Sequence, residues 1–153
     1  MKHIILTFAI SLCVLLTSCI STNPKVLRPL AEQPHTEAIS LGKRLLSIAG
    51  KESDSEIVKK INSIEVVTCE NADSLQEFDS LFDKIVADRN MELLVETSEP
   101  KEAVEIYAIS GKKSEVVKEI LIKCTKPSEC SVVYMKGNFP VTELIEHPED
   151  LIN

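Results

Sequence analysis

Four apolar, β-branched-rich runs near residues 91–97, 103–110, 116–124 and 130–136 follow one another with only short breaks between them. The breaks are Ser98-Glu99-Pro100-Lys101, Gly111-Lys112-Lys113 and a loop at Pro127. Connections this short cannot cross over a sheet, so the runs predict an antiparallel meander. Ahead of it, Ile61 to Glu70 brings Ile64, Val66, Val67 and Thr68 into one more strand-like run. Asp73-Ser74-Leu75-Gln76 then has the form of a capping box, and Leu75, Phe78, Phe82, Ile85 and Val86 share one face behind it. This is the clearest helix in the chain, and as a crossover it would set the strands on either side of it parallel. Upstream, Ala38, Leu41, Leu45 and Ile48 recur at helical spacing from Thr36 to Gly50 and predict a first helix. Pro140 to Ile145 predicts a last one, stopped before Pro148. The expected architecture is α+β, with roughly five strands in a mostly antiparallel sheet packed on helices in the order α-β-α-β-β-β-β-α. Leu94, Tyr107, Ile109, Leu121 and Met135 fall on the face expected to point away from the helices. They are a candidate partner surface, unless the first helix covers them or the registers slip by one residue.

The N-terminus is of another kind. After Met1-Lys2-His3, the thirteen residues Ile4 to Leu16 include only Thr7 and Ser11 as polar side chains. A membrane-spanning helix needs roughly 17–25 apolar residues, so the run reads as the core of a secretion signal. It ends in Leu16-Thr17-Ser18-Cys19, which resembles the lipobox of bacterial lipoproteins. The resemblance implies cleavage before Cys19 and lipid on its thiol, a membrane anchor in the cell envelope. Ile20 follows the cysteine where an inner-membrane retention signal would place Asp, so the outer membrane is the expected destination. Pro24, Pro29 and Pro34 then punctuate residues 20–35, which carry no periodic apolar pattern. Residues 19–36 therefore read as a lipidated tether reaching up to roughly 50 Å, and 37–153 as a single domain.

Composition narrows the partners. The formal charge is −7, and removal of residues 1–18 with Lys2 makes the chain more acidic still, which argues against nucleic acid and anionic lipid surfaces as ligands. Of five cysteines, Cys13 would leave with the signal and Cys19 would carry lipid. In an oxidising compartment Cys124 and Cys130, flanking Thr-Lys-Pro-Ser-Glu at the base of one hairpin, are the candidate disulfide. Cys69 is then left over, and reads more readily as a small buried hydrophobe than as a redox centre.

The features from about Asn62 to Leu151 also resemble a family of small bacterial lipoproteins known only as a domain of unknown function. They are the Ile61 to Thr68 strand, the long amphipathic helix, Met91-Glu92-Leu93-Leu94-Val95, the Val116 to Cys124 strand, and the Gly137-Asn138-Phe139 step. These determine a fold, so the resemblance implies a compact α+β domain behind a secretion signal and assigns no catalytic residue. Cys69, Cys124 and Cys130 stand apart from the pattern.

Chemistry is hard to place. His35 and His147 are the histidines beyond the signal, too few for a paired zinc site, and no cofactor or metal is expected. Ser40-Leu41-Gly42-Lys43 and Ser110-Gly111-Lys112-Lys113 match Ser-x-x-Lys but lack the companion motifs of penicillin-recognising enzymes. Acids are plentiful, among them Glu77, Asp79, Asp83, Glu96 and Glu105. A glycosidase would add sugar-stacking aromatics, and the chain has no Trp. The expected role is a lipid-anchored envelope module working through contacts with another envelope protein or with itself. The alternative is a small-ligand carrier or a carboxylate-based envelope enzyme.

Overall fold

The computed structural model describes residues 20–21, 24–52, 59–109 and 116–140. The lipobox expected at Leu16 to Cys19, the Ser110 to Lys113 turn, residues 141–145 of the expected closing helix and His147 lie outside them, whereas Pro140, expected to open that helix, is strand.

The strands are β1 (Ile20–Ser21), β2 (Thr36–Gly42), β3 (Ile61–Cys69), β4 (Glu92–Glu99), β5 (Glu102–Ala108), β6 (Val116–Lys126) and β7 (Glu129–Pro140). The helices are α1 (Arg28–Ala31), α2 (Lys43–Glu52) and α3 (Leu75–Asp88). All neighbouring strands pair antiparallel, in the order β1-β2-β3-β7-β6-β5-β4. The domain is α+β, but six full strands and the two-residue β1 replace the five expected. β3 and β4 do run in the same direction, although β7, β6 and β5 lie between them, so α3 carries the chain past three strands to the far edge rather than to an adjacent strand.

The extra strand comes from the segment read as a first helix. Thr36 to Gly42 pairs residue for residue with Ser63 to Cys69, and only at Lys43 does the chain turn helical, running on through Gly50. The helical spacing of Ala38, Leu41, Leu45 and Ile48 straddles this junction. Over Thr36 to Leu41 the ladder to β3 satisfies every second backbone group and overrides the weak local preference.

Apolar residues line both faces of the sheet. On one, α1 and α3 cover Val67, Cys69, Leu121, Cys130, Val132 and Tyr134, joined by Phe78, Phe82 and Ile85 of α3, Leu30 of α1, Leu27 just before it, and Met91. On the other, Leu46 of α2 joins Ile61, Ile106, Ile120, Ile122, Met135 and Phe139. Helix α3 begins after a 3₁₀ turn at Ala72–Ser74, where the Asn71 side chain accepts from the Asp73 N–H at 2.9 Å; Ser74 makes no side-chain cap. The helix ends with Asn90 at φ 51° and the Met91 N–H on the Val86 carbonyl, a Schellman closure. Gly137 is required by contact: a Cβ there would strike the Lys60 carbonyl oxygen and stand 2.8 Å from the Phe139 ring.

Two corrections follow from the two-sided sheet. Tyr107, Ile109 and Leu121 pack on the α3 side, whereas Leu94 and Met135 pack on the α2 side, so the five do not form one partner face. A bulge between Leu93 and Val95 is one cause, because it turns Leu94 and Val95 to the same side in succession. The second correction concerns the tether. Leu27 and Leu30 are 0% exposed in the core, so residues from Pro24 onward belong to the folded body and not to the expected tether of residues 19–36.

Candidate functional site

The N-terminal segment 24–31 crosses the α3 face as a strap, and its fastening is the main polar feature of the buried interior. Glu65 stands mid-strand in β3 and is 6% exposed. Its Oε1 accepts the Lys25 N–H at 3.0 Å, and its Oε2 accepts those of Val26 at 2.8 Å and Leu27 at 2.9 Å. Three backbone donors on one carboxylate compensate the burial of its charge. Pro29 lies in the first turn of α1, where its missing N–H is harmless, and the turn closes with the N–H groups of Leu30 and Ala31 on the Leu27 carbonyl. The Thr36 hydroxyl donates toward the carbonyls of Gln33 at 2.7 Å and Ala31 at 3.1 Å, tying the strap to the start of β2.

Between the strap and α3 lies an open cleft of about 450 Å³ lined by Lys25, Val26, Arg28, Pro29, Ile85 and Arg89, among others. Arg89 is its polar centre. The guanidinium pairs with Glu119, lies 3.5 Å from the Tyr134 hydroxyl and stacks 5.4 Å above the Tyr134 ring centroid. Burial disfavours its charge, but Glu119 and the Tyr134 hydroxyl together outweigh burial and hold the Arg89 pKa above its ordinary value. Burial, reinforced by Glu119, raises the Tyr134 phenol as well, so this hydroxyl is a proton donor at neutral pH. Across the cleft Arg28 is paired with Glu32 at 2.7 Å. With Lys25, Arg28 and Arg89 on its walls beside Glu32 and Asp88, the cleft carries charges of both signs.

A second polar group lies further along α3. Lys123 reaches Asp79 at 3.0 Å and Glu105 at 3.5 Å, with its ammonium 4.8 Å from the Phe82 ring centroid. Burial pulls its pKa down and Asp79 and Glu105 push it up, leaving it raised and the lysine charged. Tyr107 meets Phe82 edge to face at 5.5 Å. Among the described residues no group of three or more His, Cys, Asp and Glu is placed to hold a metal ion.

The sequence-derived candidates fare unevenly. Ser40 lies within β2 and Lys43 begins α2, so the pair does not share a helical turn as Ser-x-x-Lys chemistry requires. Cys124 and Cys130 are free thiols on opposite faces of the sheet. The hairpin register sets Cys124 against Ser131 and Cys130 against Thr125, and that one-residue offset turns the two thiols away from each other. Glu65, Arg89, Glu119 and Tyr134 carried no motif. Their one sequence signal is Glu65 itself, a charge in the middle of Ile64-Glu65-Val66-Val67 where a half-buried strand would put an apolar or neutral residue.

A family model described as a domain of unknown function (DUF4252) matches residues 30–146. No curated protein and no solved structure matches the chain.

Proposed function

The chain belongs to the DUF4252 family, a domain of unknown function, and from that premise we propose that it is a lipid-anchored envelope module acting through protein contacts. The Leu16-Thr17-Ser18-Cys19 motif supports the anchor, and the outer membrane is the proposed destination. The observation that carries the reading is the grip of Glu65 on the strap. Ile20 and Ser21, directly after Cys19, pair with Leu41 and Ser40 at the edge of the sheet, and the strap that follows is buried. An anchor joined this way holds the domain close to the bilayer in a set orientation, which suits a body that meets a neighbour in the same membrane. A long flexible leash would randomise that orientation.

In-cell crosslinking with mass spectrometry, run on the native chain and on Cys19→Ala, tests the reading, together with metabolic labelling by a fatty-acid analogue. Labelling that Cys19→Ala abolishes, with one specific envelope protein or a second copy captured only by the labelled form, is the expected result. Absence of label removes the anchor. A labelled protein recovered alone and monomeric removes the contact role.

A further inference from the structure

Cys69 closes β3 and Cys130 lies near the start of β7, and the two are direct partners in the antiparallel register. Directly opposed residues in such a ladder share a face, with Cα atoms about 4.5–5.5 Å apart, inside the roughly 4.4–6.8 Å span of disulfides. Both side chains are 0% exposed and both belong to the cluster beneath α3. Among the described residues the Cys69 thiol meets the Asn71 carbonyl at 3.8 Å and that of Cys130 the Thr125 hydroxyl at 3.8 Å, both long contacts that do not compete strongly with a disulfide. Cys124, on the far face, is out of reach of both.

We propose that Cys69 and Cys130 are an oxidative modification site and form a cross-strand disulfide, with Cys124 as the remaining thiol of the sheet. The oxidant is a protein or small-molecule disulfide. One cysteine thiolate attacks a sulfur of the oxidant and releases a thiol, giving a mixed disulfide. The second thiolate then attacks the protein sulfur of that bond and releases the second thiol. Two electrons pass to the oxidant, whose two sulfurs take up the two protons lost by Cys69 and Cys130. Once the core has closed, burial pushes the Cys130 thiol up to about 11, which starves the reaction of thiolate, so the bond forms during folding while both thiols are still open to solvent. The bond encloses α3, β4, β5 and β6 in one covalent loop and ties β3, which carries Glu65, to β7 at the centre of the sheet. Its occurrence in the cell rests on the envelope reading; the capacity of the pair to form it does not.

The test is refolding of the full chain from denaturant in a mixed reduced and oxidised glutathione buffer, followed by alkylation in denaturant and peptide mapping. The expected product is a Cys69–Cys130 linked peptide, lighter by two hydrogens than its separate thiols and outnumbering the unlinked form by about tenfold, with Cys124 outside it. Reduction should lower the denaturation midpoint of this protein and leave that of a Cys69→Ser, Cys130→Ser double variant unmoved. Alkylation of both Cys69 and Cys130, or a linked peptide joining Cys124 to either, overturns the proposal. If the double variant does not fold, Cys124→Ser, which keeps the pair, must still yield the linked peptide. The same mapping on chain trapped directly from cells separates the two ideas. A pair linked in the glutathione buffer but reduced in the cell upholds the disulfide site and counts against the envelope location.

Discussion

The two ends of the sheet are built on opposite plans. At the β2–β3 end a buried carboxylate holds three backbone N–H groups, Leu27 and Leu30 are fully covered, and Cys69 faces Cys130. At the β4–β5 end β4 is an edge strand exposed along most of its length, and the register sets Glu96 against Glu105 and Glu99 against Glu102. Like charges placed opposite each other cost stability, while charge along an edge discourages pairing with other chains. Stability is thus concentrated where the N-terminus enters the fold, and the far edge gives up some of it to remain solvated. A pull on the N-terminus would load the better-fastened end.

Breaking the fastened end should produce the largest effects. Leu30→Ala empties a fully buried site and is expected to cost about 3 kcal/mol in chemical denaturation, with amide exchange accelerated first across the strap. Glu65→Gln removes the charge and turns a donor-bearing amide toward donors, at an expected cost of about 2 kcal/mol. A local latch would show as loss of amide protection at residues 25–31 while β5 and β6 stay protected. Equal loss at both ends would mean that the strap fastens neither end of the sheet more than the other.

A pH effect sharpens the same comparison. In the reduced protein burial raises the Cys130 thiol from about 9 to about 11, so the folded state favours the protonated form. That contribution is complete below the ordinary thiol range and is lost as pH rises through about 11. Denaturation midpoints measured from pH 8 to 11 should fall more steeply for reduced wild type than for Cys130→Ser. At the loose end the effect is small and of opposite sign. Glu96→Lys places a cation opposite Glu105 and is expected to stabilise by about 0.5 kcal/mol at low salt, fading as salt rises.

Much of the fold was legible because the relevant signals are local. The amphipathic face of α3 needs only Phe78, Phe82 and Ile85 at helical spacing, and the meander needs only short breaks between apolar runs. The segment 36–50 was misread because a strand–helix junction happened to preserve a helical period across it. The strap was missed because Leu27 and Leu30 show one apolar spacing among three prolines, too little to mark a core segment. The five-residue partner face failed for a different reason. Runs such as Ile106-Tyr107-Ala108-Ile109 and Ile120-Leu121-Ile122 are apolar on both sides, so alternation carries no facing information, and a bulge at Leu94 shifts what remains.

By itself the sequence determined the α+β class, the long helix and the strands from β3 onward, all of them properties of short windows. Only the tertiary structure decided that β2 extends the sheet, that Glu65 seizes the strap, and that Cys69 meets Cys130 while Cys124 turns away. Those outcomes depend on register between segments distant in the chain, and a shift of one residue there exchanges the two faces of the sheet.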